Sequence, residues 1–149
     1  MPNKAWLGIA LVLLVGCDEA HDNEVHDKGE VCLYADAAAT TGRQQYVAGQ
    51  ALGVQVSLGE CLSACIRNEV VSCAAVTEPA GEVGDAVITI ESTFQYDDPD
   101  GADCILICKD LVANCATEPL AEGSYWVHHG SHQLYPLTIP SSHDAPVCF

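Results

Sequence analysis

Eight cysteines spread between residues 32 and 148 constrain the fold of this 149-residue chain more than any other feature. An even set of thiols in a small chain reads as a disulfide framework where the compartment is oxidising. The competing use of clustered thiolates is a zinc or iron–sulfur site, for which closely paired cysteines are the usual unit. No C-x2-C pair occurs anywhere, so four disulfides are expected among Cys32, Cys61, Cys65, Cys73, Cys104, Cys108, Cys115 and Cys148. Roughly 100 pairings are open to eight cysteines. Spacing points to Cys65–Cys73 and Cys108–Cys115, and a Cys32–Cys148 bond would tie the two ends together.

The amino terminus gives the compartment. Lys4 makes a short basic start, Leu7 to Val15 is an almost unbroken apolar run, and Gly16 and Cys17 close it. About ten apolar residues cannot span ~30 Å of hydrocarbon as a helix, which takes about 20. The stretch Leu14-Val15-Gly16-Cys17 resembles the lipobox of bacterial lipoproteins, which their signal peptidase cuts before the cysteine. The resemblance implies a removed signal peptide, residues 1–16, and a Cys17 carrying a diacylglycerol and an amide-linked acyl chain such as palmitate. It also implies a protein lipid-anchored to the membrane of the cell envelope, facing the periplasm or exterior. More than one acyl chain is what stable anchoring needs. The alternative is an ordinary secretory signal with a chance cysteine near its end. Asp18 resembles a signal for inner-membrane retention in some bacteria, a rule that differs among groups and so does not assign the leaflet.

Charge narrows the partners. Beyond residue 16 the chain holds Lys28, Arg43, Arg67 and Lys109 against all 21 acidic residues, a formal charge of −17. Such a surface repels nucleic acid and anionic headgroups, so neither is an expected electrostatic partner. Basic partners and cations remain.

Residues 17–30 follow as an acidic flexible tether, DEAHDNEVHDKGE after the cysteine, with Val25 as its one β-branched apolar residue. Composition of that kind buries too little to order itself. His21 and His26 within it read as solvated linker. The domain is expected over residues 31–149. Leu52, Val54, Val56 and Leu58 alternate with polar or small residues, as do Ile88, Ile90, Phe94 and Tyr96, the period of strands with one buried face. Asp97-Asp98-Pro99-Asp100-Gly101 ends the second of these. Gly123–His129 and His132–Ile139 form a hairpin around Gly130-Ser131. Six to eight short strands of this kind indicate an all-β, disulfide-rich antiparallel β-sandwich, with at most a helical turn near 61–68 and 105–114. Cys61-x3-Cys65-x7-Cys73 and Cys104-x3-Cys108-x6-Cys115 are each followed by Ala and then Thr-Glu-Pro, which suggests one device used twice.

The run Pro119 to Val127, whose hairpin ends at Ile139-Pro140, resembles the closing hairpin of immunoglobulin-like bacterial surface domains. There a Leu-x-x-Gly-x-Tyr stretch opens the penultimate strand and its tyrosine packs at a corner. The resemblance implies an immunoglobulin-like sandwich with Tyr125 and Val127 facing inward, and it carries nothing about function.

Two clusters offer metal chemistry. A two-residue Gly130-Ser131 turn would set His129 opposite His132 with Cβ atoms ~5 Å apart, suited to Zn²⁺ or Cu²⁺. The plainer reading is a polar hairpin tip with both histidines at the rim of the core, where His129→Ala would barely alter stability. Asp97, Asp98, Asp100 and Asp103 surround Gly101 as in part of a Ca²⁺ loop. With Asp100 as fifth ligand, Tyr96 and Ile107 would fall at the first and twelfth positions, so the EF-hand pattern fails and a solvated turn is expected. No Gly-x-Ser-x-Gly, His-Glu-x-x-His or Gly-rich phosphate loop occurs. The expected function is therefore a non-enzymatic binding or interaction module of the cell envelope, without a cofactor and with an envelope protein as partner. The alternative is a divalent-metal-binding envelope protein using the His hairpin or the Asp-rich loop.

Overall fold

The computed structural model describes residues 21–36, 41–79, 85–99, 108–131 and 133–149. They form strands and, among the described residues, no helix, in the expected all-β sandwich. In chain order the strands are β1 (His21–His26), β2 (Glu30–Tyr34), β3 (Gln44–Tyr46), β4 (Gly53–Ser57), β5 (Arg67–Glu78) and β6 (Ala86–Asp98). Then come β7 (Val112–Ala116), β8 (Gly123–His129), β9 (Gln133–Ile139), β10 (Ser141–His143) and β11 (Val147–Cys148).

Strand β6 is the axis of the larger sheet. Ile88, Ile90, Ser92, Phe94 and Tyr96 point inward and are buried, while Glu91 and Gln95 on the other face are exposed. Along one edge β5 pairs antiparallel over nearly its whole length, from Arg67 opposite Asp97 to Glu78 opposite Val87. The other edge is shared. β1 runs antiparallel to the C-terminal half of β6, His26 opposite Thr93, and β8 runs parallel to the N-terminal half, Ile90 opposite His129. β9 lies antiparallel outside β8. The second sheet has the order β11-β2-β4-β7, and β10 pairs with β3 separately. Val31, Leu33, Val54, Val56 and Ala113 of the second sheet meet Ile88, Ile90, Phe94, Val127 and Leu137 of the first in one apolar core. Each large apolar side chain buried in this way contributes about 1.5–3 kcal/mol.

Three disulfides staple this core: Cys32–Cys148, Cys61–Cys108 and Cys73–Cys115. Cys65 is also disulfide-bonded, and Cys104 lies outside the described residues. The tie between the chain ends, Cys32–Cys148, is as expected, joining residues opposite each other on β2 and β11. Cys65–Cys73 and Cys108–Cys115 are not formed. Cys73 stands six residues along extended β5, roughly 20 Å from where that strand begins, while disulfide Cα atoms must come within about 7 Å. Cys73 instead meets Cys115 on β7 across the sandwich, so the two cysteine repeats bond to each other. The x3 spacing of Cys61 and Cys65 spans a turn, beside an isolated bridge between Leu62 and Lys109.

The ordered domain begins before Val31. Residues 21–30, expected within the flexible tether, contain all of β1 and the start of β2. Pairing with β6 supplies partners for the β1 backbone, Val25 packs on the core, and Glu24 accepts a 2.9 Å bond from Gln95 Nε2. Composition describes what a segment can bury alone, and a ready-made edge of β6 removes that restriction.

The β8–β9 hairpin has the expected strands with its register moved by one residue. Val127 faces Tyr135, Trp126 faces Pro136 and His129 faces Gln133, so the connection holds residues 130–132. Gly130 has φ +64°, which suits a three-residue loop with a left-handed position. Tyr125 and Val127 are buried as the resemblance implied, and the Tyr125 hydroxyl donates to the Ala121 carbonyl at 2.8 Å, forming the corner. Three strands follow β8, where the resemblance implied one.

Candidate binding cleft

The period of β8 that buries Tyr125 and Val127 also buries His129, which is 3% exposed. It does not sit at a rim. Its Nε2 shares a 3.1 Å hydrogen bond with Ser92 Oγ, the one polar side chain in the inward file of β6, itself 2% exposed. Strands β1 and β8 end against each other at this point. The Asp27 N–H donates to the Ser92 carbonyl at 2.9 Å, and the Ser92 N–H donates to Asp27 Oδ1 at 2.8 Å. Burial holds the His129 imidazole below its usual 6.5, with His128 adding to the effect and the Asp27 carboxylate opposing it. Ser, His and Asp meet here, yet the hydroxyl and imidazole are sealed from substrate and Asp27 engages backbone. The arrangement satisfies polar groups inside an apolar sheet.

Of the two histidines expected to bind metal, His129 is the buried residue just described. His132 lies outside the described residues. His128 points to the opposite face from His129, and His143 sits on β10 with its ring 5.2 Å from that of Tyr46. Glu30, Cys32 and Cys148 form the one cluster of three metal-ligating residue types found among the described residues, and both of its sulfurs belong to a disulfide. Of the Asp-rich loop, Asp97 and Asp98 end β6, whereas Asp100 and Asp103 lie outside the described residues. Asp97 faces Asp22 across the β1–β6 ladder and accepts a hydrogen bond from Asn68 Nδ2. The hydrogen bond that a protonated Asp22 donates to Asp97, and the like charge there, hold the Asp22 carboxyl above its usual 3.8.

A concave site lies at the other end of β6. The end of β5, the start of β6 and the β7–β8 connection enclose a cleft of about 560 Å³, within the usual range of roughly 300–1,000 Å³ for small-ligand sites. Pro79, Pro119 and Tyr125 give it apolar wall, and Asp85, Glu118 and Glu122 bring three carboxylates to it. Thr77 also lines it, and its buried Oγ1 has no hydrogen-bond partner. The corresponding Thr117 Oγ1 of the other repeat accepts from the Leu52 N–H at 2.9 Å. Both copies of Thr-Glu-Pro thus converge on the cleft, carried there by β5 and β7 and the Cys73–Cys115 bond between them. The repeated tripeptide was the sequence signal for this site. Asp85 and Glu122 had none, because neither lies on a strand with a readable period. No protein-family model matches this chain, and no match is found among curated proteins or solved structures.

Proposed function

We propose that the chain is an exported lipoprotein, anchored through Cys17, whose sandwich presents a binding cleft for a basic, partly apolar group at the surface of a bacterial membrane. The lipobox-like run and the disulfides both support export to an oxidising compartment. The observation that carries the reading is the position of the cleft. β1 begins four residues after Cys17, a reach of at most about 14 Å, so a lipidated Cys17 holds the Asp97–Asp98 end of β6 close to the bilayer. The cleft opens by Ala86 at the far end of the same 13-residue strand, roughly 40 Å away and directed off the membrane. Three carboxylates beside proline and tyrosine surfaces favour a protonated amine on an apolar body.

Two measurements test this. Mass spectrometry of the mature amino terminus should find Cys17 with its acyl modification, and an unmodified terminus at another residue would reject the anchor. Titration of the full chain in detergent with phenethylammonium should shift the Tyr125 resonances. Glu118→Gln with Glu122→Gln should weaken binding about tenfold, the loss of one charge-assisted contact. Equal binding of uncharged 2-phenylethanol would reject the ligand class.

A further inference from the structure

We infer that the free edge of β5 is a docking strand for an extended basic polypeptide segment, which adds to the larger sheet as an outer strand. β5 pairs with β6 on one side only, and among the described residues its other side makes no backbone hydrogen bond. Alternate N–H and C=O groups of an antiparallel strand face each way, so about half of those on this 12-residue strand are left as a template.

The other edges of the same sheet carry features that discourage pairing. β9 contains Pro136, which has no N–H to give, and β1 carries Asp22 and Glu24 within its six residues. From Val70 to Thr77, β5 has neither charge, proline nor glycine. Val70, Val71 and Val76 are 56%, 41% and 52% exposed, although β-branched side chains favour paired strands. A bare edge of this kind is a hazard in a secreted protein unless something occupies it.

Charge selects the occupant. Glu78 ends the uncharged run and Glu91 stands opposite Ala74 on β6, whereas Glu69 at its start is paired with Lys109, and the chain carries a formal charge of −16. A second copy would bring the same negative field to the edge, whereas a basic segment is drawn to it. Strands lie about 4.8 Å apart, so lysine side chains on the outward face of an added strand reach Glu78 and Glu91 with their aliphatic stems over Val70 and Val76. The alternate apolar residues turn to the inner face. The geometry points to a strand that alternates Lys or Arg with Val, Ile or Thr. This edge is separate from the cleft.

The test uses the full chain in detergent and a synthetic ten-residue peptide of alternating Lys and Val, followed by fluorescence anisotropy and amide hydrogen exchange. Binding should slow exchange at alternate amides within Val70–Thr77. It should fall at least about tenfold when alternate peptide nitrogens are methylated, which removes ladder bonds and keeps the charge. Val70→Lys with Val76→Lys, both at exposed positions, should weaken it comparably. Equal binding of the methylated peptide would mean adsorption to an acidic surface and overturn the proposal. So would protection of β5 that rises with protein concentration in the absence of peptide, which would identify the occupant as a second copy.

Discussion

Replacing His129 with alanine should destabilise the protein substantially. The imidazole is 3% exposed, and its Nε2 is the partner of a hydroxyl that is 2% exposed. Removing a buried ring of this size costs about 3–5 kcal/mol in transfer and cavity terms. Leaving the Ser92 hydroxyl unpaired accounts for about 1–3 kcal/mol. The second effect overlaps the first, so the expected loss is about 4 kcal/mol, a large part of the roughly 5–15 kcal/mol that holds a domain together. Ser92→Ala alone should cost about 1–3 kcal/mol, because it strands the imidazole nitrogen. The double variant should show a coupling of about 1 kcal/mol or more. Urea denaturation of the oxidised protein, with unchanged slope, is the assay. A loss under about 0.5 kcal/mol for His129→Ala, the usual range for surface substitutions, would refute the buried pair and restore the rim position. The pH dependence gives an independent check. The folded state prefers the neutral imidazole, so stability is fully present above 6.5 and is lost as pH falls through the lowered folded value. That acid-side loss should be reduced in His129→Phe.

Three further outcomes follow from the same structure. Gly130→Ala should cost more than about 2 kcal/mol by thermal denaturation, since its φ is +64° and a Cβ there would lie 2.6 Å from the Asp27 carbonyl oxygen. Replacing Cys73 and Cys115 together by alanine should cost about 3 kcal/mol in chain entropy. Cys61–Cys108 already closes most of the intervening loop, leaving roughly 20 residues to constrain. Asp22→Asn should raise the melting temperature at neutral pH. The raised carboxyl makes the folded state most favourable below 3.8 and costs stability as pH rises through its folded value, so the gain should disappear in acid.

Local patterns were enough to indicate much of the core. The alternations of Leu52 to Leu58 and Ile88 to Tyr96 named buried faces because a strand repeats every two residues whatever it packs against. The eight cysteines announced a cross-linked sandwich, and Tyr125 its corner. Partner choice was not written in such patterns. Which cysteine meets which depends on β5 and β7 lying in different sheets at matching heights, a relation between residues 42 apart. The acidic stretch at 21–26 folds because β6 offers an open half-edge, and His129 is buried because β1 and β8 close on Ser92. The hairpin register differs by one residue from a two-residue turn, and Gly130 there passes close to Asp27, a contact no local turn rule contains. The cleft is the same kind of result. Two Thr-Glu-Pro segments 40 residues apart were visible as a repeat, but only the Cys73–Cys115 bond across the sandwich brings them to one opening. Sequence determines the face that each strand buries, and the pairing of distant strands decides which buried and exposed groups share a site.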